Sequence, residues 1–351
     1  MAEQDGGTDV PGIDRRNLEA WWRGHVDAVD PPLSFSRIEG GLSNLTYEVC
    51  DAGGRRWVLR RPPLHGVIQS AHDMAREHRI MAALAGSGVP VPPMIGHEDD
   101  ARVTGAEFYV MDFVTGPVYR NVEMVETTTD PALRARISEA MVDTLVDLHA
   151  VEPDAVGLGD LGRREDWCAR QLRRWRRQWE HVATRELPPF VEVHRRLGAA
   201  IPPQQGSAIV HGDYRLDNVI LTRDGAVAAV VDWELCTLGD PLADLGILGA
   251  YWVDADDDVR SLPQAATHLP GFADRADLVA RYAQRSGRDV SQFDYYLALA
   301  YWRLAAILEG VYARVSTGAY GRDAPEDIEA MPQRVEDLVD AALAATDRAG
   351  R

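Results

Sequence analysis

Residues 209–220 read IVHGDYRLDNVI, and this stretch decides the fold of the 351-residue chain. A polar loop lies between two short apolar runs, which predict a β-strand on either side of it. Asp213 and Asn218 are five residues apart in the loop, and a further strand-like run at 227–231 is followed by Asp232. Since loops at strand ends hold reactive side chains on a rigid support, the pattern predicts a catalytic loop with three oxygen-bearing side chains.

The order His-x-Asp-x-x-x-x-Asn, followed by a strand that ends in aspartate, resembles the catalytic loop and metal-binding strand of kinases. More specifically, His211-Gly212-Asp213 and Asp232-Trp233 resemble the aminoglycoside phosphotransferase and choline kinase-like family of small-molecule kinases. A protein kinase would carry arginine in place of the glycine and Phe-Gly after the second aspartate, where this chain has Trp233-Glu234. The resemblance implies an α+β bilobal protein kinase-like fold, with a small β-rich N-lobe, a large mostly helical C-lobe and ATP between the lobes.

The same resemblance assigns roles to these residues, and the chemistry of phosphoryl transfer supports them, because this reaction needs positioning and charge neutralisation more than covalent help. Asp213 is expected to accept the hydrogen bond and the proton of the acceptor hydroxyl. Asn218 and Asp232 offer an amide oxygen and a carboxylate, which are hard ligands suited to Mg²⁺. His211 is expected to hold the loop by hydrogen bonding rather than to act as a base.

A second motif follows the loop, where residues 240–246 read DPLADLG. Aspartate before proline, followed by apolar residues at helical spacing, predicts the N-cap and the first position of a helix. The family that the loop resembles has an Asp-Pro-x-x-Asp-Leu element here. The resemblance implies that Asp244 supports the catalytic loop.

The N-terminal part of the chain is expected to bind the nucleotide. Glycine lets backbone N–H groups approach phosphates closely, so Gly41, Ser43 and Asn44 are candidate nucleotide-binding residues, although Gly-Gly in a hairpin is also an ordinary turn. The next strand-like run ends in Arg60, at the position where kinases have a lysine that contacts the α- and β-phosphates. The chain contains no lysine, and arginine keeps the charge while adding a bulkier, forked group.

The helix expected at 70–85, with Ser70 as its N-cap, carries Glu77 on its apolar stripe. An unpaired carboxylate on an inward face is costly, so Glu77 is predicted to pair with Arg60, as a glutamate on this helix pairs with the strand lysine in kinases. Arg61 is the alternative partner. Alternatively, Glu77 lies at the edge of the stripe, contacts water and forms no ion pair.

Residues 108–114 are expected to form the last strand of the N-lobe and the start of the connection between the lobes. The backbone from Asp112 to Val114 is predicted to hydrogen-bond adenine, and Met111 either lines that pocket or belongs to the core. The chain is accordingly divided into a flexible tail (1–12), a nucleotide-binding N-lobe (13–111), a hinge (112–117) and a C-lobe with the catalytic loop and the acceptor site (118–351).

The acceptor is less clearly indicated. Residues 163–185 predict a helix with eight arginines and three acidic residues, on which Trp175 and Trp179 share one face. This helix is either an anion-binding or acyl-binding wall or an amphipathic helix with solvated arginines. It resembles a helix of the subfamily that includes the kinase-like domain fused to some acyl-CoA dehydrogenases, which favours a hydroxyacyl-type acceptor; Arg215 is a further candidate for acceptor binding. An acidic run at 254–258 either recognises ammonium groups or is a solvated loop.

Composition limits the remaining function classes. The formal charge of −18 argues against nucleic-acid binding, and no run of about 18 apolar residues predicts a membrane span. Three widely spaced cysteines and a start without a signal pattern indicate a cytoplasmic protein. We therefore expect an ATP- and Mg²⁺-dependent phosphotransferase that acts on a hydroxyl of a small molecule. The alternative, which the arginine at position 60 suggests, is a nucleotide-binding, pseudokinase-like regulatory module without transfer activity.

Overall fold

The computed structural model of the protein describes residues 10–38, 44–64, 73–257, 266–317 and 328–350. The chain divides into two compact units: unit 1 comprises residues 1–115 and 228–234, and unit 2 comprises residues 116–227 and 235–351. The first division falls within the sequence range expected for the hinge. The short segment that carries Asp232 belongs to unit 1, although the sequence places it after the catalytic loop. The first nine residues of the expected tail lie outside the described residues.

Unit 1 is built on a five-stranded antiparallel sheet with the order β1-β2-β3-β5-β4. Its strands are β1 (Ser34–Arg37), β2 (Leu45–Cys50), β3 (Arg56–Arg61), β4 (Met94–Glu98) and β5 (Phe108–Asp112), and its helices in the described residues are α1 (Arg15–His25) and α2 (Met74–Leu84). The predicted strand that ends in Arg60 corresponds to β3, and the strand predicted from residue 108 corresponds to β5, with small shifts at their ends. Strand β4 is an additional strand.

Alternation along the strands sorts the side chains of unit 1 to two faces. Trp57 and Leu59 of β3 are buried in an apolar core together with Trp22 of α1. Arg60 is opposite Tyr109 of β5 in the register of the sheet and belongs to the alternate set of side chains. This alternation places Arg60 on the face of the sheet opposite Trp57 and Leu59.

The second helix begins later than the sequence pattern predicts. Asp73 is its N-cap, and the Asp73 carboxylate accepts a hydrogen bond from the N–H of Arg76 at 2.8 Å. Such a cap satisfies one of the free N–H groups of the first turn, so α2 starts at Met74. Ser70, the expected cap, lies outside the described residues.

Unit 2 is mainly helical in the described residues. Its helices are α3 (Val122–Thr128), α4 (Pro131–Ala150), α5 (Trp167–Val182), α6 (Pro188–Ala199), α7 (Leu242–Tyr251), α8 (Arg275–Ser286), α9 (Phe293–Ser316) and α10 (Met331–Ala349). Its strands are β6 (Ala208–Val210), β7 (Val219–Leu221) and β9 (Thr237–Gly239), and β8 (Val227–Val230) crosses the division between the units. The catalytic loop is therefore the connection between β6 and β7.

The helices α7 and α9 are buried on almost all sides, as expected for helices that are apolar all round. They pack against each other and supply side chains to the β6–β7 loop. None of the helices in the described part of the chain combines the length and apolar character needed to cross a membrane.

Candidate active site

The β6–β7 loop holds Asp213 and Asn218 against each other. The amide nitrogen of Asn218 donates to the Asp213 carboxylate, at 2.9 Å, and to the Asp213 backbone carbonyl, also at 2.9 Å. These two bonds fix the orientation of the amide, because a flipped amide would place oxygen against oxygen. The amide oxygen of Asn218 is thus turned away from Asp213, as a metal ligand would have to be.

The carboxylate of Asp244, on the first turn of α7, holds the backbone of this loop. Its two oxygens accept hydrogen bonds from the N–H groups of His211 at 2.6 Å and Gly212 at 2.8 Å. The ring of His149 adds a third contact, at 3.3 Å, and its other nitrogen lies 2.8 Å from the hydroxyl of Tyr282. Burial alone would raise the pKa of Asp244, but the hydrogen bonds outweigh it and lower the pKa below its ordinary value. The Asp244 carboxylate is therefore charged. It holds the backbone of the two residues that precede Asp213 in the chain.

Gly212 is the position in the loop where only glycine fits. Its φ is +83°, and a Cβ placed on it would lie 2.6 Å from the carbonyl oxygen of Leu235. An L-residue with a side chain would be strained in this conformation and would also collide with the neighbouring backbone. The His-Gly-Asp sequence thus reflects the close packing of the loop.

Arg215 lies directly beside the carboxylate of Asp213. Its Nε is 3.2 Å from Asp213 Oδ2, its Nη1 is 3.1 Å from Asp217 Oδ2, and its guanidinium stacks 4.8 Å above the ring centre of Tyr251. The structure therefore brings this sequence-predicted acceptor residue to the catalytic loop.

The two tryptophans predicted for the acceptor site have different surroundings. The ring of Trp175 lies 5.3 Å from the guanidinium of Arg303, which donates to the carbonyl of Gly212. Trp179 instead stacks on Phe190 at 3.8 Å within the apolar core of unit 2. Trp175 is near the catalytic loop, whereas the surroundings of Trp179 give it a packing role.

In unit 1, Arg60 is surrounded by three carboxylates. Its Nε lies 3.6 Å from Glu77, and its Nη2 lies 2.5 Å from Asp232 and 3.8 Å from Glu234. Arg61 donates instead to two backbone carbonyl groups. The structure thus contains the Arg60–Glu77 pair, and Arg61 is not the partner.

Asn44 and Tyr109 complete this cluster. The amide nitrogen of Asn44 is 3.4 Å from Glu77 and 3.3 Å from Glu234, and the hydroxyl of Tyr109 donates to Glu77 at 3.1 Å. Burial raises the pKa of Glu77, and Arg60 acts in the opposite direction. One guanidinium faces three carboxylates, so a further positive charge would be stabilised here. Gly41 and Ser43, the other residues predicted for this loop, lie outside the described residues.

The two residues predicted to bind Mg²⁺ carry oxygen donors of the kind that this ion prefers. Asp232 has an unusual backbone for a residue other than glycine, with φ +68°, and such strain is frequent at functional sites. Asp232 offers a carboxylate and Asn218 an amide oxygen. Among the described residues no three His, Cys, Asp or Glu side chains are grouped to hold a metal ion alone.

The structure narrows the predicted adenine contacts. The N–H of Asp112 donates to the carbonyl of Pro93 at 2.9 Å, and the N–H of Phe113 donates to that of Arg56 at 3.3 Å. These two donors are used inside unit 1, so they are not the adenine donors that the sequence suggested. Met111 is buried. The N–H of Val114 and the backbone carbonyl groups remain as candidates.

Comparison with known proteins agrees with this geometry. A family model described as "Phosphotransferase enzyme family" matches residues 34–302, more than half of the chain. Acyl-CoA dehydrogenase family member 10 of Mus musculus is 35% identical over 300 residues, which are 82% of this chain and 27% of that protein. The chain spans less than half the length of the acyl-CoA dehydrogenase family members that it matches.

Solved structures confirm the predicted bilobal kinase-like α+β fold. A crystal structure from Ralstonia eutropha, described as a candidate aminoglycoside phosphotransferase, has a TM-score of 0.78 and 34% identity and covers 95% of this chain and 99% of that one. An aminoglycoside phosphotransferase solved in a ternary complex with AMP-PNP and hygromycin B has a TM-score of 0.59 at 15% identity, with 93% and 98% covered. The second similarity concerns the fold alone.

Proposed function

The chain belongs to the phosphotransferase enzyme family, and on this premise we propose that it transfers the γ-phosphoryl group of ATP to a hydroxyl of a small molecule. The observation that carries the proposal is the Asp213–Asn218 pair. A carboxylate held by a neighbouring amide and by a braced loop is already positioned for an incoming hydroxyl, and such positioning is the main requirement of phosphoryl transfer.

In the proposed reaction the acceptor hydroxyl donates a hydrogen bond to Asp213. A bond forms between the hydroxyl oxygen and the γ-phosphorus, and the bond from that phosphorus to the oxygen it shares with the β-phosphate breaks. The electron pair of the broken bond leaves with ADP, and the hydroxyl proton passes to the Asp213 carboxylate. When bound, Mg²⁺ neutralises charge on the β- and γ-phosphates; Asn218 and Asp232 are the residues that would hold it.

The unit 1 residues are proposed to bind the nucleotide. Arg60 would contact the phosphates while Glu77 keeps its guanidinium in place, with Asn44 beside them. Gly41 and Ser43 are proposed to cover the phosphates on sequence grounds alone. For adenine, the N–H of Val114 and the carbonyl of Asp112 would supply one donor and one acceptor, which match the acceptor and donor atoms on the edge of the base.

A hydroxyacyl-type compound is the proposed acceptor rather than an aminoglycoside. The relatives named as acyl-CoA dehydrogenase family members support this choice. His211 and Asp244 are proposed to position the loop, and Arg215 and Trp175 to face the acceptor.

One observation favours a second candidate, a nucleotide-binding module without transfer activity. The guanidinium of Arg60 lies 2.5 Å from Asp232 and thereby occupies one oxygen of the expected metal ligand. If this contact persists with ATP bound, Mg²⁺ would be held less well and transfer would be slow or absent.

Asp213→Asn separates the two candidates. We expect it to lower acceptor-dependent ADP formation by about 10²–10⁴-fold, the usual contribution of a general base, while ATP binding measured by calorimetry changes less than about threefold. Asp224→Asn, an exposed aspartate in the β7–β8 turn, is the matched control and should behave as the wild type. Tight ATP binding by the wild type without turnover on any acceptor would support the second candidate instead.

A further inference from the structure

Arg303 of α9 is a buried arginine beside the catalytic loop, and it retains hydrogen-bonding capacity. It is 7% exposed. Its Nη2 donates to the carbonyl of Gly212 at 2.7 Å, and its Nε is buried without a hydrogen-bond partner among the described residues. A guanidinium has five N–H groups, so the single bond to the loop leaves most of its donors unused.

No carboxylate of the described residues lies within ion-pair distance of the guanidinium of Arg303. Arg174, which is exposed, and Arg303 both lie 5.3 Å from the ring centre of Trp175. Neither arginine forms an ion pair with a carboxylate of the described residues. Burial lowers the pKa of Arg303 below its ordinary value; Asp213 opposes this shift and Arg174 adds to it. An anion at this position would relieve the repulsion between the two guanidinium groups.

Charged and aromatic side chains lie around Asp213. Arg215 lies 3.2 Å from Asp213 on one side, and its guanidinium covers the ring of Tyr251. The charges of Asp213, Arg215 and Arg303 all act on the hydroxyl of Tyr251, so these side chains are grouped around it. Arg215 is paired with Asp213 and Asp217, whereas Arg303 forms no ion pair with a carboxylate of the described residues, so an anionic group of the acceptor would find its partner in Arg303.

A purely structural role explains Arg303 incompletely. One neutral donor would suffice to bind the Gly212 carbonyl, and a buried charge with an unsatisfied N–H is costly when nothing pairs with it. The cost is understandable if a ligand supplies the missing partner during the reaction cycle.

We propose that Arg303 binds an anionic group of the acceptor, so that the substrates are hydroxy compounds that also carry a carboxylate or a phosphate. This rests on the proposed transfer function, in which Asp213 receives the proton of the hydroxyl. Arg303 donates a hydrogen bond to Gly212, the residue before Asp213. It would bind the anionic group of the acceptor whose hydroxyl contacts Asp213, since a guanidinium presents its donors in a fork that matches carboxylate and phosphate oxygens. The rings of Trp175 and Tyr251 would contact the carbon chain between the two groups.

The first test compares acceptors on the wild-type protein. The panel contains aliphatic hydroxycarboxylates with the hydroxyl at different carbons, the methyl ester of each, the coenzyme A thioester of each, and an aminoglycoside. We expect kcat/KM for the free acid or the thioester to exceed that of the ester by at least about tenfold, as for a charge-assisted pair. Preference for the acid identifies a carboxylate as the bound anion, and preference for the thioester identifies a phosphate. Equal use of the ester, or better use of the aminoglycoside, overturns the proposal.

The second test removes the guanidinium. Arg303→Gln should raise KM for the anionic acceptor at least about tenfold, while kcat/KM for the methyl ester falls by a clearly smaller factor that reflects the lost contact with the loop. Arg303→Lys should restore part of the preference because it restores the charge. Arg173→Gln, an exposed arginine of the same helix as Trp175, is the control. If Arg303 only supports the loop, acid and ester will lose activity equally. Should Arg303→Gln not fold, Arg303→Lys and the wild-type panel still distinguish an anion site from a role in supporting the loop.

Binding measurements separate this proposal from the transfer function. The same acids are titrated calorimetrically into the wild type and Arg303→Gln, with a non-hydrolysable ATP analogue and Mg²⁺ present. Binding to the wild type that is lost in Arg303→Gln supports the anion site even if no acceptor is phosphorylated, in which case the transfer function fails alone. Phosphorylation of neutral acceptors without binding of any acid overturns the anion site and leaves the transfer function intact.

Discussion

Arg60 is the residue at which this chain departs most clearly from the kinase pattern, and the structure shows what arginine does there. Its two ends contact different acids, with Nε at Glu77 and Nη2 at Asp232 and Glu234. A lysine has a single ammonium group and could not span these positions in the same way. The arginine therefore links the α2 helix to the segment that carries Asp232, both within unit 1.

The first residue-scale prediction concerns this arginine. Arg60→Ala should raise KM for ATP more than about tenfold, a loss above about 1.4 kcal/mol of transition-state stabilisation. It should also lower the free energy of unfolding by about 3–5 kcal/mol, because the buried Glu77 carboxylate loses its counter-charge. Steady-state kinetics and urea unfolding measure the two effects.

Arg60→Lys and a control at Arg61 complete this experiment. The lysine variant keeps one positive charge, so we expect it to recover most of the stability and only part of the ATP affinity. Arg61→Lys should leave KM for ATP unchanged, because Arg61 binds backbone carbonyl groups and not the acidic cluster. A larger effect at Arg61 than at Arg60 would show that the wrong arginine has been assigned to the phosphates.

The sequence could predict the Arg60–Glu77 pair but not the rest of the cluster. The pair follows from a charged residue on the apolar stripe of a helix, which needs a partner. Asn44 and Glu234 are 190 residues apart, and no local pattern shows that both approach Arg60. The surroundings of Trp175 and Trp179 stayed open in the sequence for the same reason: helical spacing shows that two side chains share a face, but not that one meets Arg303 and the other meets Phe190.

At the scale of elements, a carboxylate of α7 holds the backbone of the β6–β7 loop. Asp244 accepts two backbone N–H groups of the loop and a contact from His149. Asp244→Asn replaces one oxygen by an NH₂ group that would face a backbone donor. We expect the variant to lose about 3–5 kcal/mol of stability and at least about tenfold in kcat, with KM for ATP almost unchanged because the loop and not the nucleotide is displaced.

The pH dependence of the unfolding free energy tests whether the charge of Asp244 holds the loop. The pKa of Asp244 is lower in the folded protein than its ordinary value of 3.8. Its contribution to stability is therefore fully present above that value and is lost as pH falls through the folded-state pKa. The difference in unfolding free energy between wild type and Asp244→Asn should shrink as the pH is lowered below about 4. A difference that stays constant down to the acid transition would mean that the charge of Asp244 is not what holds the loop.

Elements that the sequence did not indicate share a physical cause. Strand β4 has all five residues half-buried and so lacks the alternation that marks a strand. The ring of Trp21 packs closely against its Gly96, where a Cβ would lie 3.2 Å from the ring. Strand β9 has only three residues and exists through its pairing with β6. Helix α6 starts at two prolines and contains two β-branched valines, which weaken its helical signal. The loop motif and the long amphipathic helices, whose signals are local, were predictable.

For the whole molecule, the proposed ATP ligands come from both units, with Arg60 and Asp232 in unit 1 and Asn218 in unit 2. A ligand that binds only the folded state stabilises it by about 2.7 kcal/mol at a hundred times its dissociation constant. For a chain of this size we expect MgATP to raise Tm by about 5 °C. Scanning calorimetry with and without MgATP measures this shift.

The metal dependence of this shift is the last prediction. Addition of EDTA should remove most of the ATP-induced rise in Tm, because without a cation the phosphates would face the carboxylates of Asp232 and Glu234. Asp232→Asn should reduce the shift with MgATP in the same way, and it should do so without disturbing the backbone, since asparagine tolerates the positive φ of this position. A rise in Tm that is equal with and without EDTA, and equal in wild type and Asp232→Asn, would remove the metal from the proposed site and favour the module that binds nucleotide without transferring phosphate.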